Sequence, residues 1–178
     1  MANSMDNKLK IINATTLINK LNKKIIDKGD PLESIMETFA KITPIPKGKS
    51  MYDYYGTKVI YSGYGENFEI NDQEISMFFT TAWTEPSTLY QNMIDNEYTI
   101  MACYISSESS VYGYYSNDSH EQFELNFIDF DIEKDIPHDM FLMLKKEYKD
   151  WKYMELEEEN PKAIKVIKKL DKYFEITE

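Results

Sequence analysis

The chain of 178 residues contains no arginine. Arginine is the side chain best shaped for bidentate contact with phosphate and guanine, so its absence disfavours a sequence-reading nucleic-acid protein. One cysteine, Cys103, cannot form an internal disulfide, which fits a reducing compartment. The two histidines, His120 and His138, have no partner four residues on and no cysteine at motif spacing, so no zinc site is spelled out. No apolar run approaches membrane-spanning length, and residues 1–9 hold no apolar signal segment. A soluble, cytoplasmic protein is expected. Repeats and low-complexity tracts are absent as well.

What is present is carboxylate and phenol, unevenly spread. Residues 51–144 hold seventeen acids and two lysines, Lys58 and Lys134, against a whole-chain net charge of −11. Residues 1–50 carry nine lysines and five acids, and eleven of the fourteen tyrosines fall in the acidic middle. Such a stretch repels a phosphate backbone and attracts basic proteins. With 42% hydrophobic and 14% aromatic residues the chain can build one sizeable core.

Periodicity sets out a single α+β domain. Residues 5–28 read as an amphipathic helix with Leu9, Ile12, Leu17, Leu21 and Ile25 on one face, ending at Gly29. Asp30-Pro31-Leu32-Glu33 opens a second helix, completing a helical element over 5–50. A sheet-rich core over 51–130 follows, with strands at Thr57–Ser62, Ile75–Thr81, Glu97–Ile105, Val111–Tyr115 and Gln122–Phe130. Thr84-Glu85-Pro86 starts an inserted helix that runs to about Asp95. Pro137 and Asn160-Pro161 start two C-terminal helices within 137–172. An antiparallel or mixed sheet of four to five strands, with helices on one face, is expected.

The centre also resembles a known family. Thr43-Pro-Ile-Pro46, Tyr54-Tyr55-Gly56-Thr57-Lys58, Thr81-Ala82-Trp83-Thr84-Glu85-Pro86 and Val111-Tyr112-Gly113 are similar to segments of the YubB ferredoxin-like family of phage- and plasmid-borne proteins. The likeness covers about 42–116. Tyr55 stands where tryptophan is usual, Glu85 where proline or a small residue is usual, and the N-terminal segment is additional. The resemblance implies a ferredoxin-like sheet and a mobile-element origin, and no settled activity. The segments themselves read as structural: Trp83 as an indole plug between a strand end and a helix start, Gly56 and Gly113 as tight or close-packed backbone.

Candidate chemistry is thin. The alternating acids Asp129, Asp131, Glu133 and Asp135 lack the sixth-position glycine and twelfth-position glutamate of a calcium loop. Cys103, in mid-strand, reads as a buried inert thiol. Ser62-Gly-Tyr-Gly65 lacks the rest of a phosphate-binding loop. No catalytic, metal or cofactor residue is assigned, and an enzyme is the least supported class.

The expectation is therefore a phage or mobile-element inhibitor, anti-CRISPR-like, that binds a basic host defence nuclease as a nucleic-acid mimic. Its contact residues would be Asp53, Glu66, Glu69, Asp72, Glu74, Asp118, Glu121 and Glu124, with Tyr54, Tyr64 and Tyr114. Two alternatives stand beside it. One is a ferredoxin-like module for RNA or single-stranded DNA, stacking bases on its tyrosines. The other is an immunity or antitoxin protein for a basic toxin.

Overall fold

A computed structural model describes residues 3–62, 67–131 and 136–175. The first element is β1, Ser4–Ile12, whose side chains alternate between buried and half-buried. Two single-turn helices follow, α1 (Thr15–Ile18) and α2 (Lys23–Ile26), and then α3 (Pro31–Ile42), with Pro31 in its first turn. A short helix α4 (Met51–Tyr55) is closed at its start by a reciprocal Ser50–Asp53 capping box and at its end by Gly56 at φ +83°. Next come β2 (Lys58–Tyr61), β3 (Phe68–Ile70), β4 (Glu74–Ala82), α5 (Ser87–Asp95), β5 (Thr99–Ser106), β6 (Val111–Ser116) and β7 (His120–Glu124). The helices α6 (His138–Glu157) and α7 (Pro161–Tyr173) complete the described chain.

The strands form one seven-stranded sheet in the order β2-β4-β1-β5-β6-β7, with β3 also pairing β4, and every described pair is antiparallel. Within it, β4 lies between β1 and β2, and α3 and α5 are the helices of the two crossovers. Both faces of the sheet carry a core. On one, Leu9, Ile11, Ile75, Met77, Phe79, Ile100 and Ala102 pack against α3, α5 and the short helices. On the other, Cys103, Ile105 and Tyr112 pack against Met140, Met143, Leu144 and Tyr148 of α6 and Leu170 of α7. A Lys152–Asp171 ion pair at 2.8 Å and the Tyr148 hydroxyl, donating to the Ile167 carbonyl at 2.9 Å, tie α6 to α7.

Most expected elements are present, and three expectations are corrected. The sheet has seven strands, not four to five, and helices cover both faces, because β5 and β6 turn apolar side chains each way. The expected helix over 5–28 is instead the central strand β1 followed by two isolated turns. Burial there alternates through Met5, Asn7, Leu9 and Ile11, and the polar Asn7 hid that period of two. Fully buried Asn7 is satisfied in the sheet: its amide donates to the Met5 carbonyl at 2.8 Å and the Thr81 hydroxyl at 3.0 Å. The last expected strand, Gln122–Phe130, stops at Glu124, and Phe127 packs in the second core from beyond it.

Gly113 of β6 has a specific task. The Tyr104 ring crosses over it from β5, and a Cβ at Gly113 would lie 2.4 Å from the Tyr104 hydroxyl and 2.5 Å from the Glu121 carbonyl. One of those neighbours is backbone and cannot rotate away. Gly113→Ala is therefore expected to destabilise the protein by about 1–3 kcal/mol. A urea-denaturation midpoint unchanged from the parent chain would show that the strands yield at no cost.

Candidate interaction surface

The structure distributes the expected contact residues over three places. Asp53 sits in α4, its carboxylate accepting from the Ser50 hydroxyl at 2.7 Å, and those bonds hold its pKa below the usual range. Glu69, Asp72 and Glu74 lie along β3, its turn and the start of β4. Glu74 is neutralised there by Lys10 of β1 at 3.0 Å. Asp118, Glu121 and Glu124 follow the opposite edge of the sheet, in the β6–β7 turn and β7. Five strand spacings, about 24 Å, separate β3 from β7. Tyr64 and Glu66 lie outside the described residues. Tyr54 and Tyr114 are half-buried, one against each core.

Among the described residues, one continuous acidic patch holding these side chains does not form. The register explains why: β1 carries its lysines into the middle of the sheet. Lys8 pairs with Phe78 and Cys103, Lys10 with Ser76 and Met101, so both stand on an inner strand, between the acids of the two sheet edges. Lys146 of α6 likewise meets Asp6 at 3.4 Å.

The β6–β7 edge keeps its charge. Its acids are exposed, and no ion pair holds Asp118, Glu121 or Glu124 among the described residues. No lysine occurs between Lys58 and Asp131 in the sequence. A depression of about 250 Å³ opens beside β7, lined by the rings of Tyr112, Phe123 and Phe130 and by Glu124, Asp129 and Asp131. Aromatic faces ringed by carboxylates suit a cationic side chain.

Behind this edge lies a polar cluster that the sequence did not announce. The Tyr104 hydroxyl is 2.9 Å from Nε2 of His120, which lies 3.7 Å from the carboxylate of Glu85. Glu85 is 5% exposed and also accepts from the Thr84 hydroxyl at 2.7 Å. Burial, with the Glu85 carboxylate adding to it, pushes the phenols of Tyr104 and Tyr90 upward, so both stay protonated donors across the neutral range. His120 also packs tilted against Tyr115 at a centroid distance of 4.7 Å. The cluster fastens β7 to β5 across the narrow Gly113.

Trp83 departs most from expectation. It does stand between the end of β4 and the start of α5, but it is no plug: 60% of it is exposed, with φ +69°. A non-glycine residue held at such an angle costs about 1–3 kcal/mol and persists only where its surroundings over-determine it. They do so here through hydrogen bonds. The Trp83 N–H donates to the Asn3 carbonyl at 2.8 Å, the Thr57 hydroxyl to the Ala82 carbonyl at 2.8 Å, and the Thr81 hydroxyl to the Thr84 carbonyl at 2.7 Å. The segments around Gly56 and Trp83, distant in sequence, meet at this corner.

Cys103 is 4% exposed in the second core, and burial with the nearby Asp139 charge pushes its thiol up to about 12. At pH 8 the thiolate fraction is then on the order of one in ten thousand. Iodoacetamide is expected to leave the folded protein unlabelled at that pH and to label it fully in denaturant; rapid native labelling, read by mass spectrometry, would place the thiol at the surface. No family model, no curated protein and no solved structure matches this chain, so its own residues carry the functional reading.

Proposed function

We propose that this chain is an acidic binding protein that engages a basic protein partner through its β6–β7 edge. In its specific form it is a phage or mobile-element inhibitor that enters the positively charged nucleic-acid channel of a host defence nuclease, a CRISPR effector included, as a nucleic-acid mimic. The observation that carries this reading is the edge itself: Asp118 in the β6–β7 turn and Glu121 and Glu124 on β7, the last strand of the sheet, all exposed and without an ion pair among the described residues.

Three physical arguments support it. A concentrated field of one sign raises the association rate with a partner of the other sign, and salt weakens that effect. A strand with one unpaired side offers main-chain groups to an extended segment of the partner, a recurring mode of recognition. The aromatic floor beside Glu124 supplies apolar area for the stem of an inserted lysine or arginine.

The central unit, β1-α3-β2-β4-α5-β5 in the order β2-β4-β1-β5, has the connectivity of a split β-α-β fold, and on that ground we read it as ferredoxin-like. The likeness to the YubB family fits the same reading. Folds of this kind host many activities, so the contact edge and not the fold specifies the function.

The immobilised chain is expected to capture a basic nuclease from lysates of cells carrying an active nuclease defence system, and to release it at high salt. The triple variant Asp118→Lys, Glu121→Lys, Glu124→Lys is expected to keep the parent's circular dichroism and thermal midpoint while losing at least about tenfold in affinity, since each lost charge pair at an interface is worth on the order of 1 kcal/mol or more. Equal capture by parent and variant would remove the β7 edge as the contact surface.

A further inference from the structure

The opposite edge of the sheet carries a second site of different chemistry. A depression of about 250 Å³ at the end of β4 is lined by Tyr52, Asp53, Gly56, Thr57, Lys58 and Trp83. Both aromatic rings are exposed, Tyr52 by 36% and Trp83 by 60%. Lys58 is exposed, and no ion pair or hydrogen bond engages its ammonium among the described residues. Lys49 lies close enough to Asp53 to act on its carboxylate.

The chain around the depression is richer in lysine than the rest of the acidic middle, although Glu33 and Asp30 of the neighbouring helix start lie close enough to act on the Tyr52 hydroxyl. Residues 38–65 contain Lys41, Lys47, Lys49 and Lys58 and a single acid, Asp53. One oxygen of that acid is already occupied by the Ser50 amide and hydroxyl in the capping box. Meanwhile three hydrogen bonds hold Trp83 at φ +69° with its indole turned out to water. A tryptophan kept strained and exposed contributes little to a core, and such strain concentrates where a ligand is held. Gly56, at φ +83°, leaves the space beside the indole open, since a Cβ built there meets no atom within 4 Å.

We infer that this corner binds a nucleotide unit, its base stacked on Trp83 beside Tyr52 and its phosphate on Lys58. Indole and phenol faces accept any base without hydrogen-bond readout, and a lysine supplies phosphate attraction as a point charge, so the absence of arginine is no obstacle. The ligand is a nucleoside phosphate, either free or as one residue of a single strand. The site lies five strand spacings, about 24 Å, from β7, so the acids of the far edge are screened at physiological salt.

The test uses the full chain carrying Trp151→Phe, which leaves Trp83 as the only indole. Its fluorescence is followed during titration with adenosine monophosphate, with an adenine hexanucleotide single strand, and with ribose 5-phosphate as a base-free control. Saturable quenching by a base-bearing ligand is expected, weakened about ten- to hundredfold by Tyr52→Ala or Lys58→Ala. Ribose 5-phosphate is expected to leave the signal unchanged. Quenching by the mononucleotide assigns a free nucleotide, and quenching by the hexanucleotide alone assigns a single strand. Isothermal titration of the otherwise unaltered chain and its Trp83→Ala variant repeats the comparison without the Trp151 change. No saturable binding of either base-bearing ligand in either assay, or binding unaffected by Lys58→Ala and Tyr52→Ala, would overturn the site.

Discussion

The insertion of β1 between β4 and β5 is the constraint on which the rest depends. Nine residues of β1 are registered against β4 and seven against β5, so one short segment closes two antiparallel ladders. Without it the sheet would fall into two pieces, neither with a complete core. Its buried Asn7 adds polar specificity, since the side chain meets backbone and hydroxyl partners only in this register. A slip by one residue would turn Leu9 and Ile11 out of the first core and bring Lys8 and Lys10 into it. The register also governs charge, because it carries those two lysines onto an inner strand, between the acids of the two sheet edges.

Much of the sequence pattern is legible where local chemistry is strong. Pro31 and the Asn160-Pro161 pair mark helix starts, and both helices begin there. The apolar alternation on both faces of Glu97–Ile105 announces an internal strand, and β5 pairs on both sides. The first segment misleads for a physical reason. Leu9, Ile12, Leu17, Leu21 and Ile25 satisfy a helical spacing by crossing three separate elements, while the true period of two is interrupted by asparagine in the core. Short strands such as β3 carry too few residues for any period to show.

The candidate surface was legible in composition and not in place. That the middle of the chain is acidic follows from counting. Which acids stand together depends on strand order, and strand order depends on β1. Glu74 and Glu121 look alike in sequence, yet one is paired with Lys10 and the other stands on an edge strand. Trp83 inverts the usual expectation for an indole, because the hydrogen bonds that fix its backbone involve the Asn3 carbonyl and the Thr57 hydroxyl, which no local window contains.

The two ends of the strand order thus differ in kind. At β7 and the turn before it the carboxylates of Asp118, Glu121 and Glu124 face solvent, with Glu124 beside aromatic rings; at β2 the Lys58 ammonium and the Asp53 carboxylate lie beside an exposed indole and phenol. A net charge of −11 averaged over the surface would describe neither. The tie from Tyr104 across Gly113 to His120 and Glu85 keeps the acidic edge in line with the central strands, while the hydrogen bonds from Thr57 and Asn3 fix the other corner to the end of β4. Both edges therefore hang on the same ladders that β1 completes, and a partner drawn to one edge meets a surface whose geometry was set from the middle of the sheet.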